Sequence, residues 1–363
     1  MSSPVRVGLV GLNDRARRLL IPGIVAAPRG RLTALCSRDL AKARDWAASL
    51  GPELAAFDSV ASMANSGIVN VVFVNTPVAA HAAACLAAID SGCGVICEKP
   101  LATTTAEATT LVAAAVGRGV RTVVNYTYRS VLGYRMVERL LDTQSLGPPR
   151  HAEFALLQGH GYLPNFPAGS ALLESGVHLL DTLRGLCELA GFGRIVEVSA
   201  APMQDSLTAS LAYSAAPFRQ SGESSREGAQ SLDYGWAFTG RTWCGALVTG
   251  AFSRRSLGWR NGLRWSLYGD EAALLVELDS DRTDVRLARR GDGGPQGTWR
   301  IVAPPADLAA DEARFPAYHM DRLIGAACGE EPFPDFAAAV ATHRLADALA
   351  ASAASGRWTP VDG

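Results

Sequence analysis

The chain has 363 residues, of which 48% are hydrophobic, and a formal charge of −1. That length is too great for one compact core and implies two domains. The near-neutral charge gives no electrostatic case for nucleic acid or an anionic membrane surface. No apolar run approaches the ~20 residues of a membrane span. Met1 to Arg6 leads into a strand without a cleavage signature. The 7 cysteines are scattered and form no Cys-x-x-Cys pair, so neither a disulfide framework nor a zinc site is indicated. The expectation is a cytoplasmic protein with reduced cysteines and a small-molecule ligand.

The first 127 residues alternate short apolar strands with helices. Val5 to Val10 reads as a strand, and Asp14 to Ala27 as a helix that Pro22 kinks or ends. Leu32 to Cys36 is a second strand. Asp39 can cap the Ala-rich helix that runs to Leu50, where Gly51-Pro52 stops it. Val69 to Val74 is the strongest strand, followed by a helix from Val78 to Ser91. The strand Gly94 to Cys97, a helix from Thr104 to Gly117 and a strand from Arg121 to Tyr126 complete the pattern. Apolar strands without polar alternation, each followed by a helix, indicate a parallel sheet covered on both faces.

Beyond Tyr128 the pattern changes. A helix around Val131 to Leu141 precedes an alternating strand, Ala152 to Gln158, then a Gly/Pro-rich loop from Gly159 to Gly169 and a long helix from Ala171 to Leu189. Strands follow in series: Ile195 to Ala200, Tyr234 to Thr239, Gly245 to Ser253, Leu263 to Tyr268, Ala273 to Leu278 and Val285 to Ala288. Turn signals between them, such as Gly269-Asp270, indicate an antiparallel or mixed sheet. Ser214 to Ser231 is polar and reads as a mobile loop. Tyr318 to Ser355 returns to helix. The expected boundaries are residues 1–127 for the first domain and 128–363 for the second.

Four constellations carry chemistry. The turn Gly11-Leu12-Asn13-Asp14-Arg15-Ala16 follows the first strand and opens a helix, where a dinucleotide fingerprint belongs. Asn13 stands at its middle glycine and would crowd a pyrophosphate. The second strand ends in Cys36-Ser37-Arg38 with no acid before Asp39. A hydroxyl and a guanidinium fork there suit a 2′-phosphate, hence NADP rather than NAD. Asn75-Thr76-Pro77 with His81 follows the central strand, where ligands meet an open parallel sheet, although Pro77 can simply start the next helix. Packing inside that helix is the simpler reading of His81.

The chain has only two lysines, Lys42 and Lys99. Lys99 lies in Glu98-Lys99-Pro100 at the end of an apolar strand. A lysine kept there suggests a proton-exchanging task that guanidinium cannot do. In Glu174-Ser175-Gly176-Val177-His178-Leu179-Leu180-Asp181 the three titratable groups share a helix face. Two carboxylates and one His make a thin metal set. Acid/base work is the better reading, because His titrates near neutrality.

In this order, the glycine turn, Ser37-Arg38, Asn75-Thr76-Pro77, Glu98-Lys99-Pro100 and Gly-x-His-x-x-Asp resemble the glucose–fructose oxidoreductase/inositol dehydrogenase (Gfo/Idh/MocA) family, and the tail Ala346 to Arg357 extends the likeness. The resemblance implies an N-terminal Rossmann domain with a doubly wound parallel sheet. It also implies a C-terminal α+β domain with an open, mostly antiparallel sheet through which a homo-oligomer, dimer or tetramer, would form. The implied activity is hydride transfer between a nicotinamide and a hydroxyl/carbonyl pair of a sugar-like substrate.

Carried onto this chain, Lys99 would hydrogen-bond the reacting oxygen and His178 would exchange its proton. Glu174, where the family has Asp, would orient His178 or bind a neighbouring hydroxyl. Glu98 would bind the cofactor ribose and hold Lys99, and Asn125 would lie beside the nicotinamide. The resemblance also admits a non-redox, glycosidase-like enzyme with a tightly held cofactor. A cofactor-sensing binding protein without turnover is the remaining alternative.

Overall fold

A computed structural model describes residues 4–143, 145–159, 170–204, 233–279 and 282–362. The loop expected over 159–169, except for Gly159, and that expected over 214–231 lie outside the described residues. The chain divides into two compact units: residues 1–127 with 310–340, and residues 128–309 with 341–363.

The first unit is built on six strands: β1 (Val5–Val10), β2 (Gly30–Cys36), β3 (Ala55–Phe57), β4 (Val71–Val74), β5 (Gly94–Cys97) and β6 (Thr122–Val124). They lie in the order β3-β2-β1-β4-β5-β6, and every neighbouring pair is parallel. This is the doubly wound Rossmann order, whose direction of winding reverses between β1 and β4. β4 is buried at every position, as a strand covered on both faces must be. β3 was not legible in the sequence, because three residues at a sheet edge leave no periodicity.

The first helix does not end at Pro22. A wide π turn over Ala16–Leu20 leads directly into regular helix over Ile21–Ala26, with Pro22 in its first turn. Proline has no N–H to give an i−4 carbonyl, and it is tolerated where that bond is not required.

Residues 310–340 were expected with the second domain but pack with the first. The helix Phe315–Cys328 buries Met320, Leu323, Ile324 and Ala327 in one cluster with Ile21, Ile24 and Ala27. The two helices approach closely at Gly23, where a Cβ would come within 2.6 Å of Met320 Cγ and 2.9 Å of the Pro316 carbonyl. Arg29 reinforces the contact: its backbone N–H and its Nε donate to the two Asp321 carboxylate oxygens at 2.8 and 2.9 Å.

The second unit carries a nine-stranded sheet. Its strands are β7 (Pro149–Gln158), β8 (Ile195–Met203), β9 (Gly235–Thr242), β10 (Leu247–Ser253), β11 (Asn261–Gly269), β12 (Ala272–Asp279), β13 (Arg282–Arg289), β14 (Arg300–Ile301) and β15 (Thr359–Pro360). The order is β14-β13-β12-β11-β7-β10-β9-β8-β15. β7 and β10 are parallel; the other described pairs are antiparallel. β12 alternates buried and half-buried residues along its length, as a sheet with one covered face requires. The helix Val177–Leu189 buries Leu179, Leu183 and Leu186. Among the described residues no helix is long and apolar enough to cross a membrane.

Candidate functional site

At the carboxyl ends of β1 and β4 the chain makes two turns that are bonded to each other. Gly11 adopts φ +91°, and a Cβ there would meet the Asn75 carbonyl oxygen at 2.4 Å. Only glycine fits that position. Asn75 is buried, and its Nδ2 donates to the Gly11 carbonyl at 2.9 Å and to Asn13 Oδ1 at 3.1 Å. Asn13 Oδ1 also accepts the Ala16 N–H at 3.0 Å. The Asn13 side chain thus folds back to cap the helix and tie the two turns together. Leu12 is buried, and Asp14 is exposed beside Arg18 at 3.7 Å. Thr76 Oγ1 is buried with no hydrogen-bond partner, and Pro77 is exposed.

β5 ends at Cys97 and delivers Glu98 and Lys99. Glu98 is 6% exposed. Its Oε1 accepts from Arg15 Nε at 3.0 Å and from Asn125 Nδ2 at 2.7 Å. Arg15 Nη2 lies 2.9 Å from the same oxygen. Lys99 is half-buried. A place beside the nicotinamide for Asn125, and the ligand-binding alternative for His81, do not fit their buried surroundings. His81 is 1% exposed, and its ring nitrogens lie 2.9 Å from the Pro100 carbonyl and 2.8 Å from the Thr76 carbonyl. It clasps the two loops together, and burial holds its pKa below the usual histidine value. Asn125 is also 1% exposed, with Nδ2 on Glu98 and Oδ1 2.7 Å from His319 Nε2.

At the end of β2, Ser37 Oγ accepts the Asp39 N–H at 3.2 Å, while Asp39 caps the helix Leu40–Leu50 by accepting the Lys42 N–H at 3.0 Å. Arg38 is exposed. Arg17 lies 4.4 Å over the Trp46 ring and Lys42 Nζ 5.8 Å from it. Arg17 and Lys42 thus flank the Trp46 ring, and Arg38 is exposed just beyond the end of β2.

In the second unit the helical segment bearing Glu174 and His178 opens with a π turn over Leu172–Gly176. Glu174 accepts from Arg254 Nη1 at 2.7 Å; the Arg254 side chain is 5% exposed, that of Glu174 37%. His178 is half-buried, with its ring 4.8 Å from that of Tyr128. Tyr128 Oη donates to Asn261 Oδ1 at 2.8 Å, and Gln158 Nε2 donates to the same oxygen at 2.7 Å. Burial pushes the Tyr128 phenol up to about 12, against the lowering effect of its bonds to Asn261 and Gln158. Gln158 is 9% exposed, and its Oε1 is buried without a partner.

Asp181 does not join Glu174 and His178 in a shared acid/base face. It is fully buried, and Arg129 Nε and Nη2 donate to its carboxylate at 2.6 and 3.0 Å. Sequence reasoning missed Arg15, Arg129, Arg254 and His319. Arg15 lay inside a recognised motif, and Arg129 followed one closely. Arg254 and His319 gave no signal, because their partners are 80 and 194 residues away.

Residues 5–126 match the model of the oxidoreductase family with an NAD-binding Rossmann fold, GFO_IDH_MocA. The dTDP-3,4-didehydro-2,6-dideoxy-alpha-D-glucose 3-reductase of Streptomyces violaceoruber is 32% identical over 181 residues, 48% of this chain and 52% of that protein. Inositol 2-dehydrogenase 1 of Saccharopolyspora erythraea is 32% identical over 50% of this chain and 54% of its own length. The match thus spans about half the length of these relatives. An oxidoreductase domain protein from Kribbella flavida aligns over 100% of both chains with a TM-score of 0.79 and 24% identity. Levoglucosan dehydrogenase in complex with NADH and levoglucosan aligns over 99% of this chain and 100% of its own, with a TM-score of 0.80 and 20% identity. Both structures share the fold.

Proposed function

We propose that this chain, whose residues 5–126 match the GFO_IDH_MocA oxidoreductase family model, belongs to that family and is an NADP(H)-dependent oxidoreductase. It transfers hydride between nicotinamide and a hydroxyl/carbonyl pair on a small, polyhydroxylated, sugar-like molecule. One observation carries the reading: Gly11, Asn75 and the Glu98-Lys99 pair converge at the carboxyl ends of β1, β4 and β5, the switch point at which open parallel sheets take dinucleotides. The cramped Gly11 turn brings backbone without a side chain next to the start of a helix, which fits a diphosphate. Gly11, Leu12, Asn13 and Asp14 would line the diphosphate, Asn75, Thr76 and Pro77 the neighbouring strand end, and Glu98 a ribose hydroxyl.

When bound, a nicotinamide supplies the two-electron acceptor or donor that no side chain here provides. In oxidation the substrate C–H leaves as hydride while its O–H gives up a proton; reduction is the reverse. Lys99 holds the substrate oxygen by a hydrogen bond in both directions, stabilising its developing negative charge. His178 exchanges the proton with the solvent side. Glu174, fixed by Arg254, binds a neighbouring hydroxyl.

The cofactor preference is supported by Ser37 and Arg38 standing where an acid would select NAD, with Arg17 and Lys42 adding charge around Trp46. Thermal shift with NADPH and NADH, followed by a screen of sugar and cyclitol carbonyl compounds, tests the reading. A larger shift with NADPH and nicotinamide oxidation on at least one compound are expected. Lys99→Met should then keep cofactor binding while turnover falls ~10²-fold or more, and Lys99→Arg should not restore it. Tighter NADH binding would overturn the NADP assignment. Full activity in either variant would overturn the role of Lys99 and favour a cofactor sensor.

A further inference from the structure

We infer that His319 is a positioning residue for the Glu98 end of the cofactor site, acting through the Asn125 amide. This rests on the reading of Glu98 as a ligand-facing carboxylate. The polarity of the chain of bonds is forced. A carboxylate oxygen only accepts, so Asn125 must present Nδ2 to Glu98 Oε1, at 2.7 Å. The Asn125 oxygen then faces His319 Nε2 at 2.7 Å. A carbonyl oxygen also only accepts, so His319 must donate from Nε2–H. Hydrogen bonds thus run one way, from His319 to Asn125 to Glu98, and each polarises the next.

The arrangement leaves Glu98 half committed. Oε1 takes Asn125 Nδ2 together with Arg15 Nε at 3.0 Å and Nη2 at 2.9 Å. Among the described residues Oε2 accepts no hydrogen bond, and it is the oxygen left for a ligand hydroxyl. Holding Oε1 from one side by Arg15 and from another by Asn125 fixes where Oε2 points.

The donor behind Asn125 is itself held rigidly. His319 is 3% exposed, its ring stacked on Phe315 at 5.6 Å with the planes 6° apart, and Phe333 lies 6.2 Å away. Burial and the nearby charges of Arg322 and Arg15 push its pKa down to about 3, so near neutral pH it stays an uncharged donor. A phenyl ring could fill the same space but has no N–H to give Asn125.

The test measures binding of NADPH and NADH by nicotinamide fluorescence, and of their adenosine halves, 2′,5′-ADP and ADP, by calorimetry. His319→Leu should weaken binding of both dinucleotides roughly tenfold, the scale of leaving a buried acceptor without its donor, and leave both adenosine halves unaffected. His319→Gln, whose amide N–H can stand where Nε2–H stood, should restore most of the loss. Asn125→Ala should match His319→Leu, and the double variant should lose nothing more, because the two act in series. If His319→Leu does not fold, His319→Gln and Asn125→Ala decide. Dinucleotide binding equal to wild type in Asn125→Ala, equal loss of dinucleotide and adenosine half, or failure of Gln to rescue would each overturn the inference. A wild-type protein that binds no nucleotide would instead remove the cofactor reading of Glu98, and this inference with it.

Discussion

Asp181→Asn is the sharpest separation of architecture from chemistry, because the sequence places Asp181 with His178 while the structure gives it to Arg129. The Asp181 side chain is fully buried and that of Arg129 is 15% exposed. The guanidinium donates to both carboxylate oxygens and, from Nη2, to the Asp181 carbonyl at 2.8 Å. Its Nη1 reaches the Tyr134 hydroxyl. Gly185 leaves space for this fork: a Cβ there would come within 1.7 Å of Arg129 Nη1. Replacing the carboxylate by an amide removes one charge of a desolvated pair and strands the other. Breaking such a pair costs about 3–5 kcal/mol, which in a unit of this size lowers Tm by roughly 6–20 °C. Thermal unfolding followed by circular dichroism gives the shift, and turnover per folded molecule well below the new Tm should stay within about twofold of wild type. Replacing both partners with apolar residues, Arg129→Met with Asp181→Leu, should recover most of the stability. An unchanged Tm combined with lost turnover would refute the assignment and return Asp181 to the reaction.

Arg38→Ala should weaken NADPH much more than NADH, by about 1.5–3 kcal/mol for a charge-assisted bond to phosphate; equal loss in titrations with the two cofactors would sink the 2′-phosphate site. Glu174→Asp withdraws the carboxylate from Arg254 by about one bond length and should lower kcat on the order of a hundredfold; wild-type rates in that variant would show that Glu174 is not tuned to its partner. His178→Ala should lower turnover and flatten the pH–rate profile near neutrality, and an unaltered profile would exclude it as the proton exchanger. His319 makes an acid-stability prediction. Its folded pKa of about 3 lies below the unfolded value of roughly 6.5, so its contribution is intact above pH ~6.5. That contribution is lost as pH falls towards 3, at about 1.4 kcal/mol per pH unit. Urea unfolding of wild type and His319→Gln between pH 6.5 and 4 should differ in slope by about one proton; parallel slopes would mean that His319 titrates normally.

The alternation of apolar strands and helices was readable because buried parallel strands must be apolar on both faces, which prints the sheet directly into the chain. The cap at Asp39 and the stop at Gly51 were readable because they depend on residues within one turn. β3 was not, since three residues carry no period, and neither was the π turn ahead of Pro22. The same locality governs the candidate site. Gly11, Ser37-Arg38, Glu98-Lys99 and Glu174 with His178 stand out because each is a short motif at the end of its element.

What those motifs are bonded to was decided only in three dimensions. That Asn13 is tied to Asn75 follows only from the fold, which brings the two turns together. Asp181 looked like a third member of an acid/base face until Arg129 took it. Asn125 looked like a ligand contact until burial closed over it. The sequence by itself determined the two-part architecture, the parallel sheet and the residue types offered at its strand ends, because these follow from hydrophobic period and local turn chemistry. Tertiary structure alone decided that the helix Phe315–Cys328 packs with the first unit and brings His319 to Asn125, and that Arg254 reaches Glu174. Hydrogen bonds and ion pairs depend on distance in space, and a chain records only distance along itself.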